Sequence, residues 1–145
     1  MNVDLRGKPD VRCNVERLPF ADAVFDEVHG HHVVEHFTPH WARVVIAEVY
    51  RVLKIGGLLV LELPDLHAIA RRVLKENVPS DYVLAGLYGL RTFGAYKGRE
   101  SVHKFGYTFE SLRLVLNGQS FVDVKRVAAT RHVRWRDMRV EARKQ

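Results

Sequence analysis

Hydrophobic residues follow a helical spacing in three segments of the chain. The first begins at Thr38-Pro39, an N-cap followed by proline at the first helical position, and its apolar stripe extends to Gly56-Gly57, where we predict that the helix ends. The second starts after the cap residue Asp65, and the third extends from Thr108 to Asn117-Gly118. These three segments are predicted to be the main helices.

Strand patterns alternate with the helical ones. An almost continuous apolar run covers Gly57–Leu63 and is typical of a strand that is buried on both faces in a parallel sheet. Four more strands are predicted, at Val11–Cys13, Val24–Val28, Phe121–Ala128 and Val133–Ala142. In the last strand the apolar phase slips at Asp137, which predicts a bulge there. Alternation of strands and helices favours an α/β fold.

Between Asn77 and Tyr107 the apolar pattern weakens. A short helix is predicted around Tyr82–Leu90, followed by a loop, Arg91–Gly106, that is rich in glycine, aromatic and cationic residues. Because loops of this length in compact domains usually bind or cover a ligand, we interpret residues 77–107 as a substrate cap.

Length and composition limit the class of protein. A chain of 145 residues with 47% hydrophobic and 28% charged content fits one globular domain and excludes a disordered or fibrous protein. No apolar run reaches the ~18–20 residues of a membrane span, and no signal peptide pattern is visible, so we predict a cytoplasmic protein that does not bind membranes. The one cysteine, Cys13, excludes an intramolecular disulfide and a cysteine-based metal cage.

Positive charge is concentrated near the C-terminus. The chain has a net charge of +6, and residues 131–144 contain six Arg or Lys against Asp137 and Glu141. Such a segment binds nucleic acid, acidic lipid or an anionic substrate, or it forms an edge strand that charge protects from further pairing. We favour the edge strand over nucleic acid, because no series of base-stacking aromatic residues accompanies the arginines.

Histidines are densest just before the first predicted helix. His32-Val33-Val34-Glu35-His36 matches the H-x-x-E-H pattern of inverzincin metallopeptidases, in which both histidines bind zinc and the glutamate acts as general base. That chemistry requires a helix over residues 32–36. Because the segment follows a strand and precedes the Thr38 cap, we predict a loop and no zinc at His32 and His36. A zinc hydrolase is kept as an alternative function.

Several short motifs occur in a fixed order over the first 65 residues. They are Asn2–Asp4, Asp10–Asn14, Leu18–Asp22, Phe25–Val28, Val33–His36, and Glu48–Gly57 leading into Leu58–Asp65. This succession resembles class I S-adenosylmethionine-dependent methyltransferases of the type 11 group. The resemblance implies a three-layer, Rossmann-like α/β sheet, truncated at the N-terminus, with an antiparallel C-terminal strand pair. It also implies S-adenosylmethionine as cofactor and an acceptor that is a small molecule or an anion.

The resemblance also implies a set of cofactor-binding residues. In the family, the position of Asp4 accepts hydrogen bonds from the ribose, and that of Asn14, usually aspartate, holds the adenine amino group. Val15 offers its backbone N–H to the adenine ring. The remaining members, on the methionine side of the cofactor, are His31, His32 and Glu35.

Two histidines are candidate catalytic bases for methyl transfer. His36 and His103 are both neutral imidazoles near physiological pH if their pKa values are ordinary, and such a group can take a proton from the acceptor. A protein of this family that has lost its activity gives the second alternative, a non-catalytic binding or assembly module.

One family motif has no counterpart in this chain. No G-x-G occurs anywhere, although the family places a glycine-rich loop after a central first strand. We therefore predict that the chain alone binds S-adenosylmethionine weakly or not at all. Without the central strand, we expect Val28, Val33 and Leu58–Leu63 to be exposed and a homodimer to form through residues 1–5 and 24–34. Residues 6–10 are also too few for a helical crossover between parallel strands.

Overall fold

A computed structural model describes residues 1–4, 8–76, 80–89, 102–131 and 133–145. Within these ranges the chain forms six strands, four α-helices and one 3₁₀ turn. In chain order they are β1 (Val3–Asp4), β2 (Val11–Arg12), β3 (Phe25–His31), the 3₁₀ turn (Val34–His36), α1 (Pro39–Val52), β4 (Leu53–Pro64), α2 (Leu66–Lys75), α3 (Asp81–Tyr88), α4 (Phe109–Asn117), β5 (Phe121–Val127) and β6 (Asp137–Lys144). The short helix predicted in the cap segment is α3, whereas the part of the predicted loop at 91–101 lies outside the described residues.

The strands form two sheets. The larger one has the order β3-β4-β6-β5, in which β3 and β4 are parallel and β6 is antiparallel to both of its neighbours. The smaller one pairs β1 with β2 in parallel. The predicted α/β class with an antiparallel C-terminal strand pair is confirmed.

The parallel pair β1–β2 is joined by a connection of only six residues, 5–10. Val3 pairs with Val11, and the carbonyl oxygen of Asn2 accepts hydrogen bonds from the backbone nitrogens of Asp10 (3.0 Å) and Val11 (3.2 Å). Because each strand is only two residues long, the chain has little distance to retrace. The strands therefore pair in parallel although residues 6–10 are too few for a helical crossover.

One face of the larger sheet carries the hydrophobic core. Alternate residues of β4 and β6 point to this face, where α1 and α4 cover them. The residues that form it are Ala42, Ile46, Leu59, Leu61, Leu63, Leu112, Leu116, Met138, Val140 and Ala142, all 5% exposed or less. Burying one such aliphatic side chain contributes about 1.5–3 kcal/mol, so this layer holds the helices on the sheet.

The opposite face of the sheet is charged. The strand register aligns His29 with Val60 and Glu141 across β3, β4 and β6. Glu141 forms ion pairs with Arg139 (3.1 Å) and Lys125 (3.4 Å). The predicted exposure of Leu58–Leu63 was therefore wrong: residues 59–63 are 5% exposed or less, whereas Leu58, Val28 and Val33 are half-buried.

The Gly56-Gly57 pair does not end a helix. Helix α1 stops at Val52, and β4 starts at the next residue. Phe25 pairs with Leu53 and Glu27 pairs with Leu58. Between these two pairs β3 advances by two residues and β4 by five, so the additional residues of β4 form a bulge. Gly56 has φ +74°, and a Cβ on Gly57 would lie 2.8 Å from the Lys54 carbonyl oxygen. Glycine is required here by a bulge, not by a helix end.

The last strand starts later than its apolar pattern predicts. Strand β6 begins at Asp137, and residues 134–136 form a turn before it. The phase slip therefore marks the start of the strand, and the predicted bulge at Asp137 was wrong. The irregularity lies in β5 instead, where the register shifts between Val122 and Lys125 and Asp123 has φ +53°.

Arg51 attaches the segment before β3 to α1. Its guanidinium donates to the carbonyl oxygens of Phe20 (2.8 Å) and Leu18 (3.1 Å), to Asp22 Oδ1 (2.7 Å) and to both carboxylate oxygens of Glu48. Such an arrangement of five contacts fixes the chain that connects the two sheets.

None of the helices in the described ranges is long and apolar enough to span a membrane.

Candidate functional site

The candidate site lies at one edge of the larger sheet. Strands β3 and β4 are parallel, so their carboxyl ends meet there, with His31 opposite Glu62. Strand β6 is antiparallel and therefore begins at the same edge, where Asp137 pairs with Pro64. Ligands of open α/β sheets collect beyond the carboxyl ends of the strands, which makes this edge the place to look for chemistry.

His32 is held between two carboxylates. It follows β3 with φ +51°, and its backbone nitrogen donates to the Glu62 carbonyl oxygen (2.9 Å). Its Nδ1 lies 2.9 Å from Glu35 Oε1 and its Nε2 lies 3.1 Å from Asp137 Oδ2. Burial disfavours the imidazolium, but the hydrogen bonds to Asp137 and Glu35 outweigh burial and raise the pKa of His32 to about 9. His32 is therefore positively charged at neutral pH.

Asp137 is a site residue that the sequence analysis did not identify. Its side chain is fully buried and accepts hydrogen bonds from Arg136 Nε (2.7 Å) and the Val133 backbone nitrogen (3.2 Å). Burial raises its pKa, but the hydrogen bonds from His32 and Arg136 prevail and lower the pKa to about 2. The one signal in the sequence was that Asp137, a polar residue, stands where the alternation of apolar positions changes phase.

Glu35 is buried at 2% exposure and links the 3₁₀ turn to the segment before α4. Its backbone carbonyl accepts hydrogen bonds from the backbone nitrogens of Lys104 (2.7 Å) and Phe105 (3.2 Å). Apart from the ion-pair contact between Oε1 and His32, neither carboxylate oxygen has a hydrogen-bond partner among the described residues. A buried carboxylate with so few donors is unusual, and His32 is the cation beside it.

The two predicted bases, His36 and His103, are brought together. Their ring centroids lie 5.0 Å apart in an edge-to-face arrangement. Nδ1 of His36 lies 3.2 Å from the Val102 carbonyl oxygen, and Nδ1 of His103 lies 3.1 Å from that of Gly86. Since a carbonyl only accepts, each Nδ1 carries the proton and each Nε2 presents a lone pair. Burial lowers the pKa of His103, which favours this neutral form.

Tyr107 is a second residue that the sequence analysis missed. It is 1% exposed, and its hydroxyl has no hydrogen-bond partner within the described residues. Burial, with a smaller effect of the negative charge on Glu35, raises the pKa of Tyr107 to about 12. No pattern in the sequence distinguished it from an ordinary core aromatic.

The structure divides the predicted cofactor residues into two groups. His31, His32 and Glu35 follow the end of β3, whereas Asp4, Asn14 and Val15 belong to or follow the smaller sheet. Val15 lines a groove of about 470 Å³ between β1, β3 and α1, and Val3, Gly30 and Val33 line it too. Asn14 folds onto its own loop, where Oδ1 accepts from the Glu16 backbone nitrogen (3.0 Å).

The inverzincin pattern lacks the helix that it needs. His32 has left-handed backbone angles, and only Val34–His36 form a single 3₁₀ turn. His36 packs against His103, while His32 contacts Glu35 and Asp137. Nothing in this segment supports the zinc hydrolase alternative.

Comparisons with known proteins identify the fold. Residues 3–61 match the family model of a methyltransferase domain. The solved structures similar to the chain include a methyltransferase from Archaeoglobus fulgidus, dependent on S-adenosylmethionine (18% identity, TM-score 0.62, covering 98% of this chain and 74% of that one). The chain carries a class I methyltransferase fold. The resemblance stated from the sequence motifs is confirmed.

In two further matches the chain covers a smaller share of the similar structure. The 1,6-didemethyltoxoflavin-N1-methyltransferase of Burkholderia thailandensis, solved with bound 1,6-didemethyltoxoflavin and S-adenosylhomocysteine, is 19% identical with a TM-score of 0.61. The match covers 99% of this chain and 60% of that one. A Pyrococcus horikoshii protein is 17% identical with a TM-score of 0.63, covering 94% and 61%. The chain thus spans about three fifths of these two methyltransferase-fold proteins. No curated protein matches the chain by sequence.

Proposed function

We propose that this chain is a methyltransferase domain that transfers a methyl group from S-adenosylmethionine to a small-molecule or anionic acceptor. The observation that carries the proposal is the match of residues 3–61 to the methyltransferase model on a chain with the same fold. The S-adenosylhomocysteine bound to the Burkholderia relative supports the choice of cofactor. When bound, the cofactor supplies an activated methyl group on its sulfonium.

The groove beside Val15 suits the adenosine half of that cofactor. Its volume of about 470 Å³ lies within the ~300–1,000 Å³ of small-molecule sites, and its lining is mainly apolar, as an adenine ring requires. We assign Asp4 to the ribose, Asn14 and Val15 to the adenine, and His31, His32 and Glu35 to the methionine side. Asn14 must first release Glu16, which is one reason to expect weak binding.

The acceptor is oriented and deprotonated by the chain's own residues. Methyl transfer depends mainly on placing the acceptor atom in line with the methyl carbon. His36 and His103 each present an Nε2 lone pair beside the segment at 102–107, and either can take the acceptor's proton. The net charge of +6 favours an anionic acceptor.

Calorimetric titration of the full chain with S-adenosylmethionine and S-adenosylhomocysteine tests the proposal. We expect saturable binding of both, with a dissociation constant weaker than micromolar, because no G-x-G loop brings backbone donors close to the methionine part. Asp4→Ala should abolish binding, whereas Glu110→Ala, which removes an exposed carboxylate from α4, should leave it unchanged.

Two outcomes separate the alternatives. No binding at millimolar concentrations of either compound contradicts the proposed function and favours a non-catalytic module. Micromolar or tighter binding that Asp4→Ala abolishes supports the function and shows that the glycine-rich loop is dispensable.

A further inference from the structure

We propose that His32, Glu35 and His103 form a binding site for one divalent transition-metal ion of the zinc type. One ligand atom from each side chain lies within 4.8 Å of the other two. His32 and Glu35 lie three residues apart, and His103 joins them from a distant part of the sequence at the carboxyl edge of the sheet. The proposal does not rest on the function proposed above, but the site shares His32 and Glu35 with the residues assigned to the cofactor and His103 with the candidate bases.

The donor set fits such an ion. Two imidazole nitrogens and one carboxylate oxygen are the ligands that Zn²⁺ and neighbouring first-row metals bind in proteins. Three protein ligands leave a fourth position of a tetrahedron open for water or another ligand. The hard ions Mg²⁺ and Ca²⁺ are disfavoured, because they prefer oxygen ligands.

Both histidines are oriented as metal ligands are. Nδ1 of His103 lies 3.1 Å from the Gly86 carbonyl oxygen, and Nε2 of His32 lies 3.1 Å from Asp137 Oδ2. A ligating histidine usually donates its second ring N–H to a carbonyl or carboxylate, which fixes the ring and the tautomer. The atoms left for the metal are then Nε2 of His103 and Nδ1 of His32.

Glu35 supplies the independent sign that a cation belongs here. Its carboxylate is 2% exposed, and among the described residues its one ion-pair contact is that with His32 at 2.9 Å. Among the described residues Oε1 has only the His32 contact and Oε2 has no hydrogen-bond partner. A carboxylate in this state is costly to bury, and direct coordination of a metal offsets that cost.

Metal binding needs only small movements. Zinc–nitrogen and zinc–oxygen bonds of about 2.0–2.2 Å in a tetrahedron separate neighbouring ligand atoms by about 3.3 Å. The contact between His32 Nδ1 and Glu35 Oε1 opens from 2.9 Å to this value, and His103 moves inward from a separation of at most 4.8 Å. The proton between His32 and Glu35 leaves to solvent as the ion enters.

This site places zinc at His32, where the sequence analysis predicted none, but it differs from the inverzincin arrangement. His36, the second zinc ligand of that pattern, has no part in it, and Glu35 is a ligand instead of a general base. With a metal on Nε2 of His103, that atom no longer accepts a proton from an acceptor. His36 is then the base of the two candidates that remains free.

Zinc binding to the chelator-treated full chain tests the proposal. We expect one equivalent of Zn²⁺ to bind with micromolar or tighter affinity, measured by elemental analysis after dialysis and by competition with a chromophoric chelator. The unfolding midpoint should rise with added Zn²⁺, since the ion binds the folded state. Co²⁺ should give the intense visible d–d bands of a tetrahedral site.

Variants locate the ion. His103→Ala and the isosteric Glu35→Gln should each weaken Zn²⁺ binding at least 100-fold and remove the Co²⁺ bands, whereas His40→Ala, at an exposed histidine, should change neither. Far-ultraviolet circular dichroism shows which variants remain folded. One folded variant, either His103→Ala or Glu35→Gln, is enough for the test. No binding to the parent chain, or equal binding by folded His103→Ala, overturns the proposal. Loss in His36→Ala with retention in His103→Ala overturns it in favour of the H-x-x-E-H pair.

Discussion

At the residue scale, the site is a group of polar side chains buried against one another. His32 neutralises parts of the charge on both Glu35 and Asp137, and Arg136 adds a second cation beside Asp137. Removing one member of a buried charged group leaves its partner unpaired, which costs more than the pair contributes. We therefore regard these residues as mutually dependent.

Tyr107 gives a prediction at this scale. Its buried hydroxyl has no partner in the described part of the chain, so Tyr107→Phe removes an unsatisfied polar group and keeps the ring. We expect the free energy of unfolding to stay the same or rise by up to about 1 kcal/mol. Urea denaturation measures it. Tyr50→Phe is the control, because the Tyr50 hydroxyl donates to the Gln145 carbonyl oxygen (3.1 Å) and its loss should be slightly destabilising.

A decrease of more than about 1 kcal/mol in the free energy of unfolding of Tyr107→Phe would contradict the inference that the hydroxyl has no partner among the described residues. It would show that the hydroxyl donates to a group that binds at the site in solution.

At the element scale, local signals set the starts of the helices well. Pro39 is the first residue of α1, Asp65 caps α2 by accepting from the His67 backbone nitrogen (2.9 Å), and Thr108 caps α4 in a capping box with Ser111. Each signal acts within three residues, so it is readable from sequence. The end of α1 was misjudged because a Gly-Gly pair also suits a bulge, and the choice depends on the neighbouring strand.

The bulge in β4 gives the prediction at this scale. A Cβ on Gly57 would approach two backbone oxygens, Lys54 O at 2.8 Å and Asp26 O at 3.2 Å, and backbone cannot rotate away as a side chain can. We expect Gly57→Ala to destabilise the protein by about 1–3 kcal/mol. At Gly56 a Cβ meets open space, and the cost comes only from φ +74°, about 1 kcal/mol.

Thermal unfolding of the two variants checks this order. Gly57→Ala should melt below Gly56→Ala, and Gly56→Ala below the parent. The reverse order would mean that crowding at Gly57 is relieved by movement of the strand.

At the scale of the whole molecule, two strand edges face each other across a groove. Among the described strands β3 pairs only with β4, and β1 only with β2. Val3, Val28 and Val33 line the groove between them, so both strand edges border apolar surface. Exposed edges of this kind favour pairing with another chain. We expect a second copy to pack on this groove through residues 1–5 and 24–34 and form a homodimer, which must compete with the cofactor's adenosine for the same surface.

Light scattering tests this expectation. The mass should be twice the 16.7 kDa of one chain, and a charge in the groove, Val33→Glu, should return it to that of one chain. Arg134→Glu, at an exposed site away from the groove, should leave the dimer intact. A mass of one chain at all micromolar concentrations, with circular dichroism showing a folded protein, would refute the dimer.

The structure brings two of the predicted site residues together and places two unpredicted polar residues near them. His36 and His103 were both singled out from the sequence, and the structure places their rings 5.0 Å apart. Asp137 and Tyr107 were missed, because neither belongs to a motif. The cofactor set was assigned through the family resemblance, and which of its members touch the cofactor stays a prediction.

The sequence by itself determined the kind of elements, most of their starts and the order of the methyltransferase motifs. These depend on the periodicity of apolar residues and on caps that act over a few residues. Only the tertiary structure decided which polar groups meet. His32 and Asp137 are 105 residues apart, and they touch because β6 enters the sheet antiparallel to β4 and begins where β3 ends. Such a contact depends on strand register across the sheet, which short-range patterns do not encode.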